Sequence, residues 1–164
     1  VETIECWEHA LKSSKTPSIL SLTRQGLNPI RKSYTKLNKC SLGAYEVLRT
    51  NKKISLTIFA SGSEVNLAIE TSHKLAKDKI YSKVISMPCM ELYEAQSDDY
   101  KESVLPSSCT KRIAMEAGVS GLWYKYASKV VGVDRFGFSA PGDIVMSELG
   151  MTAENLSEQI KSMN

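Results

Sequence analysis

Val130-Val131-Gly132-Val133-Asp134-Arg135-Phe136-Gly137-Phe138-Ser139-Ala140-Pro141-Gly142-Asp143 leads from an apolar run into a helical pattern over residues 144–149. The β-branched run reads as a strand and the periodic stretch behind it as a helix. A strand feeding a helix is the repeating unit of α/β domains, where a parallel neighbour is reached only through a crossover.

Upstream, the same alternation recurs. A strand at 54–59 precedes a helix for which Ser63 is the expected N-cap, with Val65, Ala68, Ile69, Leu75 and Ala76 on one apolar face. A strand at 83–87 is closed by Pro88, which has no N–H for a ladder. Short helices are expected at 90–95, 99–105 and 122–127, and strands at 112–116 and 129–133. With a further strand at 45–48, the expected fold is α/β: three layers, a mostly parallel five-stranded sheet with helices on both faces, and one possible antiparallel edge strand. Gly150 suits a left-handed helix end. Thr152 suits an N-cap with Met151 and Leu156 as its hydrophobic staple, and Leu156, Ile160 and Met163 share a buried face.

The first residues do not fit that sheet. Ile4, Trp7 and Leu11 stand at helical spacing behind Thr3, a candidate N-cap, and Pro17 breaks the pattern. Residues 18–23 alternate weakly as a short strand, stopped by Gly26, Asn28 and Pro29. One helix and one strand close no core, so residues 1–27 are expected to end a preceding domain. Residues 28–43 carry Arg31, Lys32, Lys36 and Lys39 and read as a solvated linker; a nucleic-acid patch would interleave aromatics, and Tyr34 stands alone. The main domain is then 44–164.

Composition is that of a folded globule: 42% hydrophobic and 24% charged residues in 164, with a net charge of +3 too mild to name a nucleic-acid partner. No apolar run reaches the ~18 residues of a membrane span, and the acidic start is unlike a signal peptide, so a cytoplasmic location is expected. Cys6, Cys40, Cys89 and Cys109 show no C-x-x-C pair, which argues against structural zinc and for reduced thiols.

Few residues carry obvious chemistry. His9 and His73 lie on ordinary helical patterns, and no G-x-S-x-G motif accompanies them. Ser61-Gly62-Ser63-Glu64 joins strand to helix, where backbone N–H groups can meet an anion. It lacks a P-loop lysine and the G-x-G-x-x-G spacing, so a capped tight turn explains it. Arg24 follows the strand expected at 18–23 and precedes a glycine. Strand ends are where α/β sheets bind ligands, and a guanidinium can grip a phosphate through two parallel hydrogen bonds, although a salt bridge would also explain it. Arg135 is followed by Phe136 and Phe138 and reads as an interdomain packing loop; Trp123-Tyr124-Lys125-Tyr126 reads as the aromatic face of a helix.

Taken in order, six segments resemble the C-terminal domain of the transketolase family: residues 60–65, 84–88, 100–106, 116–118, 123–126 and 134–141. Residues 16–25, with Thr23-Arg24-Gln25, resemble the closing strand and S-R-Q motif of its middle, pyrimidine-binding domain. The Asp-Arg-Phe-Gly loop and the Trp-Tyr-Lys-Tyr cluster favour this family over the related 1-deoxyxylulose-phosphate synthases and 2-oxoacid dehydrogenase β-subunits. The resemblance implies a thiamine-diphosphate-dependent transferase of the pentose phosphate pathway, moving a two-carbon ketol unit from a ketose phosphate to an aldose phosphate. It implies a homodimer with thiamine diphosphate and a divalent metal, Mg or Ca, between domains of two subunits. Arg24 matches the family's substrate-phosphate arginine. The metal motif, Gly-Asp-Gly with a later Asn-Asn, does not occur, and Gly142-Asp143 is no remnant of it. The chain is therefore expected to be a C-terminal portion, inactive alone, partnered by the remaining N-terminal part. The alternative is an independent anion- or nucleotide-binding module using the Ser61 turn.

Overall fold

A computed structural model describes residues 1–33 and 35–163; Tyr34 and Asn164, the last residue of the domain expected at 44–164, lie outside the described residues. In chain order the elements are α1 (Glu2–Lys12), β1 (Tyr45–Arg49), β2 (Leu56–Ala60), α2 (Glu64–Lys77), β3 (Ser82–Ser86), α3 (Met90–Glu94), α4 (Asp98–Val104), β4 (Arg112–Met115), β5 (Lys129–Val131), α5 (Gly142–Glu148) and α6 (Ala153–Lys161), with 3₁₀ turns at Cys40–Leu42 and Gly121–Lys125. The strands form one sheet in the order β1-β3-β2-β4-β5. β3, β2, β4 and β5 run parallel, and β1 pairs antiparallel with β3 through an irregularity between Glu46 and Leu48. The expected three-layer α/β sheet and its antiparallel edge are both present.

Alternation of side chains divides the core between the two faces. Ile58, Val84, Ile113 and Met115 face α2 and α6, meeting Val65, Ala68, Leu75, Leu156 and Ile160. Phe59, Ile85 and Ala114 face the other way, against Tyr93, Val104, Trp123 and Tyr126. Every residue of β2 and β3 is buried, as a strand covered on both sides requires. This burial includes Lys83, whose ammonium donates to the Val104 carbonyl and is pushed to lower pKa by desolvation. At the C-terminus Gly150 holds φ 73°, Thr152 accepts from the Asn155 N–H at 3.1 Å, and Met151 and Leu156 are buried. The four cysteines are free thiols, and among the described residues no helix is long and apolar enough to cross a membrane.

Several local expectations give way. Residues 18–23 form no strand: none of the described strands pairs with them, and an alternating pattern without a ladder partner leaves backbone groups to water. Thr3 lies inside α1, whose N-cap is Val1. Ser63 is already helical, at φ −65° and ψ −32°, so its hydroxyl does not cap α2 and instead donates to Glu64. Residues 121–125 wind as a 3₁₀ turn, although Trp123 and Tyr126 are buried as an aromatic face should be. The 28–43 segment is not uniformly solvated, because Arg31 is drawn into a buried ion pair.

Candidate functional site

Arg24 lies on an exposed bend. Its neighbour Thr23 donates to the Gln25 carbonyl at 3.3 Å, and the Thr23 methyl comes within 4.0 Å of where a Cβ on Gly62 would stand. Asn66 Nδ2, in the first turn of α2, donates to the Asn28 carbonyl at 3.5 Å. The segment from Thr23 to Asn28 thus runs beside the turn after β2, at the carboxyl edge of the parallel strands. Sequence reasoning expected Arg24 at a strand end. The structure gives Arg24 no strand of its own: its segment is a loop that runs near the turn after β2.

The turn beneath is already filled with carboxylates. Gly62 takes φ 50°, letting the Glu64 N–H reach the Ser61 carbonyl at 3.1 Å. The Ser61 hydroxyl donates to Glu116 Oε2 at 2.7 Å, and the Ser63 hydroxyl donates to Glu64 Oε1 at 2.6 Å. Burial pushes the Glu116 carboxyl above its usual range; the Ser61 bond pulls it partway back and the charge of nearby Glu64 adds to the rise. An anion seated on the Ser61 turn itself would meet two acidic groups and hydroxyls already committed to them, so the independent anion-binding module using that turn is not favoured.

Two further arrangements shape the surface. Asp134 accepts from the Ser120 N–H at 2.8 Å and from its hydroxyl at 2.7 Å, tying the loop after β5 to the loop after β4. Phe136, 96% exposed, projects from that tie, with Arg135 and Phe138 also exposed. On the opposite flank, α1 is seated by polar groups. The Glu5 carboxylate accepts from Arg31 Nη1 at 2.7 Å and Nη2 at 2.6 Å, and from the Lys39 and Cys40 N–H groups at 3.0 and 3.2 Å. Glu2 Oε1 accepts from Tyr45 OH at 2.8 Å and Ser86 Oγ at 2.6 Å. Burial alone would raise the Glu5 carboxyl, yet the bonds from Arg31 and Cys40 outweigh it and hold the group below its usual range. Sequence reasoning missed this clamp. Its signal was the acidic stripe Glu2, Glu5 and Glu8, spaced three apart on one helix and matched to a basic segment downstream.

The apolar stripe of α1 faces outward: Ile4, Trp7 and Leu11 are 73%, 51% and 78% exposed. Among the described residues no group of three or more histidine, cysteine or acidic side chains comes together to hold a metal.

The family model described as the transketolase-like TK C-terminal domain matches residues 43–152. The chain belongs to the transketolase family. It is 47% identical over 159 residues to a transketolase of Dictyostelium discoideum, covering 94% of this chain and 24% of that protein. With a Staphylococcus epidermidis transketolase it shares 45% over 166 residues, covering 99% and 25%. Among solved structures it is similar to transketolase from Leishmania mexicana, with a TM-score of 0.90 and 37% identity over 99% of this chain and 23% of that one. It is similar also to Pichia stipitis transketolase in complex with sedoheptulose 7-phosphate, with a TM-score of 0.89 and 32% identity over 98% and 23%. The chain is homologous to the C-terminal part of transketolases and spans about a quarter of the length of the curated relatives it matches.

Proposed function

We propose that this chain serves as the C-terminal portion of a cytoplasmic, homodimeric transketolase that moves a two-carbon ketol unit from a ketose phosphate to an aldose phosphate. Residues 1–27 are the end of the pyrimidine-binding domain, 28–43 the connection and 44–164 the C-terminal domain. Thiamine diphosphate with Mg or Ca supplies the carbon–carbon bond chemistry and is held by the remaining N-terminal part. This chain's own contribution is binding: Arg24 grips the sugar phosphate by two charge-assisted hydrogen bonds from an exposed loop.

The observation that carries this reading is the inverted seating of α1, with Glu5 buried against Arg31 and Ile4, Trp7 and Leu11 turned outward. Such a stripe is the kind of surface that another body of protein covers. Mixing the chain with the N-terminal part of a transketolase and measuring thiamine-dependent ketol transfer tests it. Turnover should appear on mixing, disappear with Trp7→Glu, and show a KM for sugar phosphate raised about 10- to 100-fold by Arg24→Ala, since a charged hydrogen bond contributes about 1.5–3 kcal/mol. No turnover at any ratio of the two parts would overturn it.

A further inference from the structure

The clamp that seats α1 also contains two thiols for which the sugar-phosphate reading has no use. Cys6 lies on α1 and Cys40 opens the 3₁₀ turn beneath it. Cys40 Sγ donates to the Glu2 carbonyl at 3.4 Å, the carbonyl one helical turn before Cys6, and the Cys40 N–H is fixed on Glu5. Cys6 rises one helical turn above that carbonyl, so the geometry brings its side chain to the Cys40 thiol. Cys40 is 2% exposed and Cys6 is partly exposed, so Cys6 is the more accessible of the two residues.

We propose that Cys6 and Cys40 are an oxidation site at which a hydroperoxide closes a reversible disulfide, pinning α1 to the turn ahead of β1. The neighbouring Cys40 thiol holds the Cys6 thiol below its usual range against the opposing effects of burial and of Glu2 and Glu5, while the pairing and burial push Cys40 up. Cys6, the less buried of the two, attacks first. Its thiolate takes one oxygen of the peroxide, the O–O bond breaks, and the leaving hydroxide collects a proton as water. The product is a Cys6 sulfenic acid. Cys40 then loses its proton as its sulfur attacks Cys6, the S–S bond forms, the S–O bond breaks and a second water leaves. Two thiols give up two electrons and the peroxide accepts them. Neither Cys89, whose thiol burial pushes up and which donates to Glu91 at 3.4 Å, nor Cys109, which lies 3.3 Å from the Thr57 hydroxyl, touches a second thiol.

The test treats the folded chain with a small excess of hydrogen peroxide, quenches in acid, alkylates the remaining thiols and digests without reductant. Mass spectrometry should find the Cys6–Cys40 peptide as the main cross-link, lost on adding dithiothreitol. Oxidation should slow amide exchange in α1 about tenfold or more, because the open state becomes tethered. In Cys40→Ser the reaction should halt at a Cys6 sulfenic acid trapped by dimedone, whereas Cys89→Ser and Cys109→Ser keep the cross-link. The proposal is overturned if the folded wild-type chain oxidises at Cys89 or Cys109 without joining Cys6 to Cys40. It is overturned equally if the same cross-link forms as fast in guanidinium, where the fold no longer brings the thiols together. Both outcomes are read on the unmutated chain and need no ketol-transfer activity.

Discussion

Replacing Arg31 with alanine should release α1 while leaving the sheet intact. The Arg31 and Glu5 side chains are 13% and 10% exposed, their two hydrogen bonds are 2.7 and 2.6 Å, and the guanidinium also stacks 5.1 Å from the centre of the Tyr45 ring. Removing one member of a buried ion pair costs about 3–5 kcal/mol, chiefly because the surviving charge stays buried without its partner. Glu5 keeps the N–H groups of Lys39 and Cys40, which places the loss at the lower end, about 3 kcal/mol. That loss falls on the docking of α1 and not on global unfolding, since the helix turns its apolar stripe outward and meets the domain mainly through polar groups. An 11-residue helix is marginal in water, so release means unwinding. Hydrogen exchange followed by mass spectrometry should show amides of Glu2–Lys12 losing about 100-fold of their protection, at 1.4 kcal/mol per tenfold, with β2, β3 and β4 unchanged. The double replacement Glu5→Gln with Arg31→Met, which leaves no lone charge, should recover much of it. Unchanged α1 protection in Arg31→Ala would refute the clamp; an equal loss across the central strands would refute its independence from the core.

Acid should act on the same clamp. The folded Glu5 carboxyl lies below its ordinary value, so its stabilisation is present above the unfolded pKa and is lost as pH falls through the folded one. Exchange of α1 amides should therefore quicken below about pH 4 while the sheet stays protected. Glu116 has the opposite sign: its raised carboxyl favours folding when protonated and loses that contribution as pH rises through the folded value. Glu116→Gln, whose amide oxygen can still accept from Ser61, should raise the melting temperature at pH 7 and leave it unchanged below about pH 4. Gly43→Ala should be severely destabilising, by about 3 kcal/mol or more, because φ is 77° and the new Cβ would stand 2.0 Å from the Tyr93 nitrogen in α3; an unchanged chemical-denaturation midpoint would contradict this close approach.

The sheet was legible because its strands are buried on both faces and so spell out apolar, β-branched runs that little else in a globular chain produces. At Leu56–Ala60 and Ser82–Ser86 every position is buried, and the apolar residues in the middle of each run carry that signal. The ends were less legible: β5 stops at Val131, because Val133 donates its N–H to the Gly118 carbonyl at 2.7 Å and leaves the ladder. Residues 18–23 misled for a related reason. Alternation records which side chains could share a face, but a strand exists only where a neighbour accepts its hydrogen bonds, and Ile19 is instead 96% exposed.

The candidate site could be read as residue types and not as an arrangement. Arg24 stood out as a candidate by residue type, yet the course of its loop beside the Ser61 turn depends on Thr23 meeting Gly62 and on Asn66 reaching back to Asn28, the second a contact between residues 38 apart in the chain. Arg31 was harder, since a basic residue among Lys32, Lys36 and Lys39 looks solvated until its partner 26 residues upstream is known. The acidic stripe of α1 and its apolar stripe are both written in the first twelve residues. Which of them turns inward is decided by what lies beneath. Here Arg31, Tyr45, Ser86 and two backbone N–H groups offer hydrogen bonds, which an apolar stripe laid on them would leave buried and unmet at about 1–3 kcal/mol each. The clamp therefore forces the greasy side of α1 out, and the surface proposed to receive the rest of the enzyme is a consequence of the polar seat below it.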